Sequence, residues 1–223
     1  MKPIGILCAT ARELDPFLPE IRNDQVTAHS MHTFHRGQME DVPIVAVYSG
    51  CGEVNAAVTA QAMIDQFNAA AVIFSGIAGG MTQETKIFHT VVCTASSFHD
   101  TNNEIYTDFP VMPEPVFHAD EHLLSIAHRA ADCFAHPVYY GPATTGDIFT
   151  GQYPSDALCI DMETAAAAHA CYLNNVPFIA IRSISDNRED SGQEAINRNY
   201  DRAARMSYLF TRAMLAEIRK QAL

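Results

Sequence analysis

The sequence predicts an α/β layered domain, and three observations carry the prediction. Short apolar runs alternate with amphipathic or alanine-rich stretches along the chain. No linker, low-complexity tract or internal repeat separates two halves, so residues 1–223 read as one domain. Four apolar runs end in glycine or polar clusters, as strands do where an open α/β sheet binds a ligand.

The elements follow in order. IGILCA (4–9) reads as a strand, then a turn, then a helix over the acidic ARELDPFLPEI. Residues 33–36 and PIVAVYSG (43–50) read as strands joined around GQMEDV. CGEVNAAVTAQAMIDQF (51–67) is glycine-rich at its start and alanine-rich afterwards, hence a helix. AAVIFSGIAGG (70–80) reads as a buried strand running into a glycine-rich loop, and IFHTVVCTAS (87–96) as another strand. From His99 to Phe117 the chain carries Pro110, Pro113 and Pro115, which lack an amide donor and favour a loop. A helix over 120–133, strands at 138–146 and 157–161, a helix over 162–175 and a strand over 177–186 follow. From about Glu194 to Leu223 one long amphipathic helix is expected.

Composition excludes several functions. Apolar residues make up 48% and charged residues 18%, which is globular and not disordered. Fourteen Lys and Arg stand against 26 Asp and Glu, a net charge of −12, so nucleic acid and anionic membrane surfaces are poor partners. No apolar run approaches the roughly 18 residues of a membrane span. The N-terminus turns acidic too soon for a secretory signal. The six cysteines form no CxxC pair, and Cys8, Cys93 and Cys159 lie in or beside apolar runs. Buried free thiols in a reducing cytoplasm are therefore expected. His29, His32 and His35 recur in a segment that reads as loop then strand, without HExxH or HxH spacing, so no metal is expected there.

The polar strand ends are SGCG, SGIAGG, ATTGDIF and RSISD, and the ATARE after the first strand adds Glu13. Their convergence suggests a small-molecule pocket. Glu13, Glu163 and Asp186 each follow an apolar strand closely, where burial could raise a carboxyl pKa toward neutrality and suit it to acid–base work. Helix capping is the plainer reading for Glu13 and Asp186. It is less satisfactory for Glu163, which lies between Met162 and a run of alanines. SGIAGG invites a phosphate-cradle reading, but it matches neither GxGxxG nor GxxxxGK[ST], and residues 70–85 contain no Arg or Lys.

The succession GILCATAREL, SGCGEVNAA, FSGIAGG, FHD (98–100), TTGDIF, IDMETAAAA and VPFIAIRSISD resembles the 5′-methylthioadenosine/S-adenosylhomocysteine nucleosidases of the purine nucleoside phosphorylase and nucleosidase superfamily. The most specific part is DMETAAAA with RSISD. The resemblance implies a three-layer αβα fold around a mixed, partly barrel-like sheet, a homodimer, and hydrolysis of a purine N-glycosidic bond without metal or organic cofactor. By position it implies that Glu13 activates water and that Asp186 protonates N7 of the base. It assigns Glu163 to the ribose hydroxyls, Met162 to the ribose, Phe149 to stacking on the base, and Thr150 to the base edge through its backbone. Arg182 falls near the catalytic water and Ser185 near the base.

Two departures matter. Ile77 stands where these nucleosidases usually have serine; the related futalosine hydrolases often carry an aliphatic residue there. That group tends to have asparagine at the position of Asp186, whereas an aspartate suits an adenine leaving group. Phosphorylases usually supply an arginine and a serine to phosphate at positions 74 and 77, where this chain has Phe74 and Ile77, so water is the expected second substrate. Residues 101–117 are shorter than usual, and Ile105, Tyr106, Phe109, Val111 and Met112 could line a pocket for the 5′ substituent or pack on a dimer surface. A nucleoside-binding protein without catalysis is the competing class; Glu13, Glu163, Arg182 and Asp186 together argue against it, and Ile77 alone favours it.

Overall fold

The computed structural model describes residues 2–101, 115–148, 154, 156–187 and 189–221. The elements are β1 (Ile4–Cys8), α1 (Ala11–Leu14), a 3₁₀ turn (Leu18–Glu20), β2 (Arg22–His29), β3 (His32–Met39), β4 (Val42–Tyr48), α2 (Glu53–Phe67), β5 (Ala71–Gly80) and β6 (Thr90–Phe98). Then come β7 (Phe117–His118), α3 (Glu121–Ala131), β8 (Val138–Thr145), β9 (Cys159–Asp161), α4 (Thr164–Leu173), β10 (Phe178–Asp186) and α5 (Gln193–Gln221).

The ten described strands join one mixed sheet: nine run in the order β10-β6-β8-β9-β5-β1-β4-β3-β2, β7 pairs with β6, and β10 also pairs with β5. Strands β5, β9, β8, β6 and β10 thus close a ring, while β1, β4, β3 and β2 extend from it as an open wing. The ring closes because β5 is long. One edge pairs with β1 over Ala71–Phe74 and then with β9 at Gly79 and Gly80; its other edge pairs with β10 from Val72 to Gly79.

Alternation along the strands separates two cores. Leu7, Val45, Val47, Val72 and Phe74 pack with Ala56, Ala60 and Met63 of α2 and with Ala165 to Ala168 of α4. Ile6, Cys8, Ile44, Ala46 and Ile73 face the other way, against Leu14, Leu123, Ile126, Phe210 and Met214 from α1, α3 and α5. The fold is therefore the expected three-layer αβα arrangement around a mixed, partly barrel-like sheet.

Three local expectations need correction. The helix expected over ARELDPFLPEI stops after Leu14, because Pro16 and Pro19 cannot continue its hydrogen bonds. Residues 22–29 form a strand that the exposed, polar sequence RNDQVTAH hides, so the three histidines sit on a β2–β3 hairpin rather than on a loop and strand. There His35 meets Asp24 at 2.8 Å, and His32 meets the Ser49 carbonyl and Thr59 hydroxyl. SGIAGG is not a loop. It is the second half of β5, its backbone committed to β9 and β10, which removes the basis of a phosphate cradle. Cys8, Cys93 and Cys159 are buried free thiols, as expected. Ile105, Tyr106, Phe109, Val111 and Met112 lie outside the described residues. No described helix is long and apolar enough to cross a membrane.

Candidate active site

The carboxyl ends of β4, β1, β5 and β10 lie side by side, and the polar clusters of the sequence collect there. Thr10 caps α1: its hydroxyl accepts from Glu13 N at 3.4 Å, while Glu13 accepts from Thr10 N at 2.9 Å, a capping box. The Glu13 carboxylate does more than cap. Oε2 also accepts from Ala9 N at 2.8 Å, and Oε1 accepts from Ile77 N on β5 at 2.8 Å. Burial raises the pKa of Glu13, and Arg182 and the three amides act against that rise.

Arg182 lies in the middle of β10 and is fully buried. Its Nε meets Asp161 Oδ2 at 2.8 Å and the Thr164 hydroxyl at 3.0 Å, and Nη2 donates to the same hydroxyl at 2.8 Å. Nη2 also lies 3.9 Å from Glu163 Oε2, and the guanidinium sits 4.1 Å from the Phe74 ring centroid. Nη1 has no hydrogen-bond partner among the described residues. It borders Gly76 opposite Glu13 Oε1, and a Cβ at Gly76 would collide with both. That close approach requires glycine at position 76.

Asp161, the last residue of β9, holds this arginine and the start of α4 together. Its Oδ1 accepts from the Thr145 hydroxyl at 2.6 Å and from Glu163 N and Thr164 N at 3.2 and 3.1 Å, and Oδ2 accepts from the Thr164 hydroxyl. Glu163 is 5% exposed, and its Oε1 accepts from Gly52 N at 3.0 Å. Gly52 precedes α2 with φ +97°, a conformation that favours glycine. Burial pushes the Glu163 carboxyl up to about 7; Arg182 opposes the shift and Asp161 adds to it. Met162 beside it is half-buried, and Ala165 to Ala168 are buried.

Asp186 ends β10 opposite Gly79, after a register irregularity. It accepts from the Ser185 hydroxyl at 2.7 Å, and the Ser185 carbonyl accepts from Asn199 of α5 at 2.8 Å. Burial raises the Asp186 pKa, the Ser185 hydrogen bond opposes this, and Asp190 adds to it. A pocket of about 340 Å³ opens beside it, lined by residues including Gly80, Thr82, Lys86 and Asn187. On the rim beyond Gly52, Asp147 accepts from Glu53 N at 3.2 Å, and Asp100 accepts from Ile148 N at 3.1 Å. Burial and the two aspartates push the Glu53 carboxyl up to about 7.

The structure thus brings two bonded pairs, Glu13 with Ile77 and Glu163 with Arg182, to either side of Gly76, with Ser185 and Asp186 at the adjoining strand end. Ile77 takes part through its backbone amide, which any residue but proline supplies. Phe149 and Thr150 lie outside the described residues. Sequence reasoning missed Asp161, Thr164 and Gly52. An aspartate three residues before an alanine-rich helix carries a legible capping signal; its bond to Arg182 depends on β9 and β10 meeting in the ring.

This architecture and edge define the class. A family profile described as the phosphorylase superfamily matches residues 3–216. A 5′-methylthioadenosine/S-adenosylhomocysteine nucleosidase of Maridesulfovibrio salexigens is 32% identical over 232 residues, covering 96% of this chain and 99% of that protein. The crystal structure of such a nucleosidase from Colwellia psychrerythraea 34H, in complex with adenine, matches with a TM-score of 0.89 at 27% identity, covering 97% of this chain and 95% of that one. The futalosine hydrolase of Helicobacter pylori strain 26695 matches with a TM-score of 0.85 at 26% identity, covering 97% and 98%. Within the phosphorylase superfamily, the chain belongs to the 5′-methylthioadenosine/S-adenosylhomocysteine nucleosidase family.

Proposed function

We propose that this protein hydrolyses the N-glycosidic bond of 5′-thio-substituted adenosines, methylthioadenosine and S-adenosylhomocysteine, and releases adenine. The carrying observation is the buried set of Glu13, Glu163 and Arg182 beside the half-buried Asp186. Bond cleavage builds negative charge on the purine and oxocarbenium character on the ribose. Asp186, its pKa raised by burial, gives its proton to N7 as the C1′–N9 bond breaks. The Glu163 carboxylate holds the 2′ and 3′ hydroxyls beside the developing cation. Water adds to C1′ and loses its proton to Glu13; Arg182 Nη1, opposite Glu13 across Gly76, is available to orient that water. Met162 borders the ribose, Phe149 stacks on the base and Thr150 meets its edge in this reading. Ile77 supports Glu13 through its amide, and Ser185 steadies Asp186.

Phe74 favours water over phosphate, because its ring stacks on Arg182 where a phosphorylase would present a cation. The reading takes residues 1–223 as one nucleosidase domain and the enzyme as a cytoplasmic protein of methionine salvage; the six free thiols support a reducing compartment. It also takes the enzyme as a homodimer. Val54 and Val58, 74% and 55% exposed on α2, and Ile148, 66% exposed near the helix start, support an apolar interface there. Light scattering should return twice the 24.5 kDa chain mass.

The test is incubation with methylthioadenosine, S-adenosylhomocysteine, futalosine and inosine, with and without phosphate, followed by base detection. Adenine release without phosphate is expected. Hypoxanthine from futalosine, the outcome that the Helicobacter structure and Ile77 would favour, or strict phosphate dependence, would overturn the assignment. No base from any of them would indicate a binding protein.

A further inference from the structure

One contact at the site's edge has no part in the chemistry above. The Tyr200 hydroxyl, on α5, lies 2.6 Å from the Thr10 hydroxyl, across 190 residues of sequence. Thr10 caps α1 and its amide donates to Glu13 Oε2 at 2.9 Å, so the phenol meets the turn that sets Glu13; burial first, then the charge of Glu13, raises the phenol's pKa. Cys51, beside the Gly52 amide that holds Glu163, is perturbed in turn by burial, Glu163 and Glu13. Thr10 and Tyr200 meet on the β1 loop, and Cys51 lies on the neighbouring β4 loop next to Gly52, so the three stand at the end of the site formed by these loops.

The sheet order gives this end a meaning. Along the carboxyl edge run β10, β5, β1 and β4, roughly 5 Å apart. Asp186 stands at β10, the Glu13–Ile77 contact spans β1 and β5, and Thr10 and Cys51 stand at β1 and β4. In a ribofuranose, C1′ and C4′ flank the ring oxygen, so base and 5′ substituent share one face of the ring but diverge from its two sides. With the base at Asp186 and the ribose hydroxyls on Glu163, the 5′ substituent extends to Thr10, Cys51 and Tyr200. Those groups are hydroxyls and a thiol, with acceptor lone pairs. Arg12, 4.0 Å over the Tyr200 ring, is paired with Asp201 at 2.7 Å, while Glu13 and Glu163 lie on the site side.

We propose that Tyr200, with its hydroxyl set by Thr10, is a specificity-determining residue that accepts a hydrogen bond from a cationic amino group on the 5′ substituent. The site then favours an aminoacyl-type thioether tail, such as homocysteinyl, over a plain alkylthio tail. This inference rests on the nucleosidase reading.

The experiment compares kcat/KM for S-adenosylhomocysteine and methylthioadenosine in wild type and Tyr200→Phe. The expected result is about a tenfold fall in the S-adenosylhomocysteine to methylthioadenosine ratio, the scale of a hydrogen bond to a charged group. A second probe is S-adenosylhomocysteine with its α-amino group replaced by hydrogen: wild type should discriminate against it about tenfold, and Tyr200→Phe should not. Equal losses on both natural nucleosides would make Tyr200 only a support for the Thr10–Glu13 turn and overturn the proposal, as would an unchanged ratio. A wild type that cleaves neither nucleoside defeats the nucleosidase reading instead. The same ratios are then taken from dissociation constants, and an unchanged Tyr200→Phe ratio there defeats this inference separately.

Discussion

The two ends of the candidate site are built differently. At the Glu13–Glu163 end, Glu13, Asp161, Glu163 and Arg182 are each 5% exposed or less, and the three carboxylates accept from amides of four backbone segments. At the other end Asp186 is only partly buried, and among the described residues the Ser185 hydroxyl is the group that donates to it. A group that positions hydroxyls or water gains from immobility. A group that gives up a proton needs a pKa near the working pH and room for its partner. In the proposed reaction the tightly held carboxylates are Glu13, the base for water, and Glu163, the ribose ligand, and the looser one is Asp186, the acid.

The largest effect should separate the two ends most sharply. Asp186→Asn should lower kcat by ~10²–10⁴-fold while the melting temperature stays within a few degrees, because the lost interaction is chemical rather than structural. Normal turnover in that variant would sink the assignment of the acid. Asp161→Ala should do the reverse, costing about 3–5 kcal/mol of stability in urea unfolding, since it leaves Arg182 buried without its main counter-charge. A loss below about 1 kcal/mol would show that the tightly bonded end is not a structural unit.

A smaller effect concerns pH. Folded Glu163 releases its proton near 7, whereas its unpaired value is 4.5. Between these values the folded protein holds a proton that the unfolded chain has released. Stability is therefore lost as pH rises through that window. Glu163→Gln keeps an acceptor for Gly52 N and removes the titration, so its melting temperature should gain on wild type between pH 5 and 8. Parallel melting curves against pH would contradict the burial argument. The smallest effect is expected at Ile77. Ile77→Ser preserves the amide that serves Glu13 and should change kcat/KM by no more than about threefold; a change beyond about tenfold would give the side chain a role of its own.

Much of this was legible in the linear sequence. Period-two and helical patterning predicts the cores of eight of the ten described strands, the alanine-rich helices and the polar strand ends, since these depend on neighbours a few residues apart. Glu13, Glu163 and Asp186 stand out because each closely follows an apolar run, whereas Arg182 is reached only through the family resemblance. The exposed, polar β2 was not legible, because its partner β3 rather than its own composition makes it a strand. Nor was the strand character of SGIAGG, whose glycines suggest a turn until β9 and β10 pair with them.

The type of most elements and the identity of the charged side chains thus follow from local chemistry written in the chain. Which charges meet follows from the closure of the ring. Arg182 reaches Asp161 because β9 and β10 both flank β5, and Tyr200 reaches Thr10 because α5 crosses back over the β1 loop. Such contacts join residues far apart in sequence, and no local pattern encodes them; burial of the two cores brings them together, and the low-dielectric interior then turns ordinary carboxylates into perturbed ones.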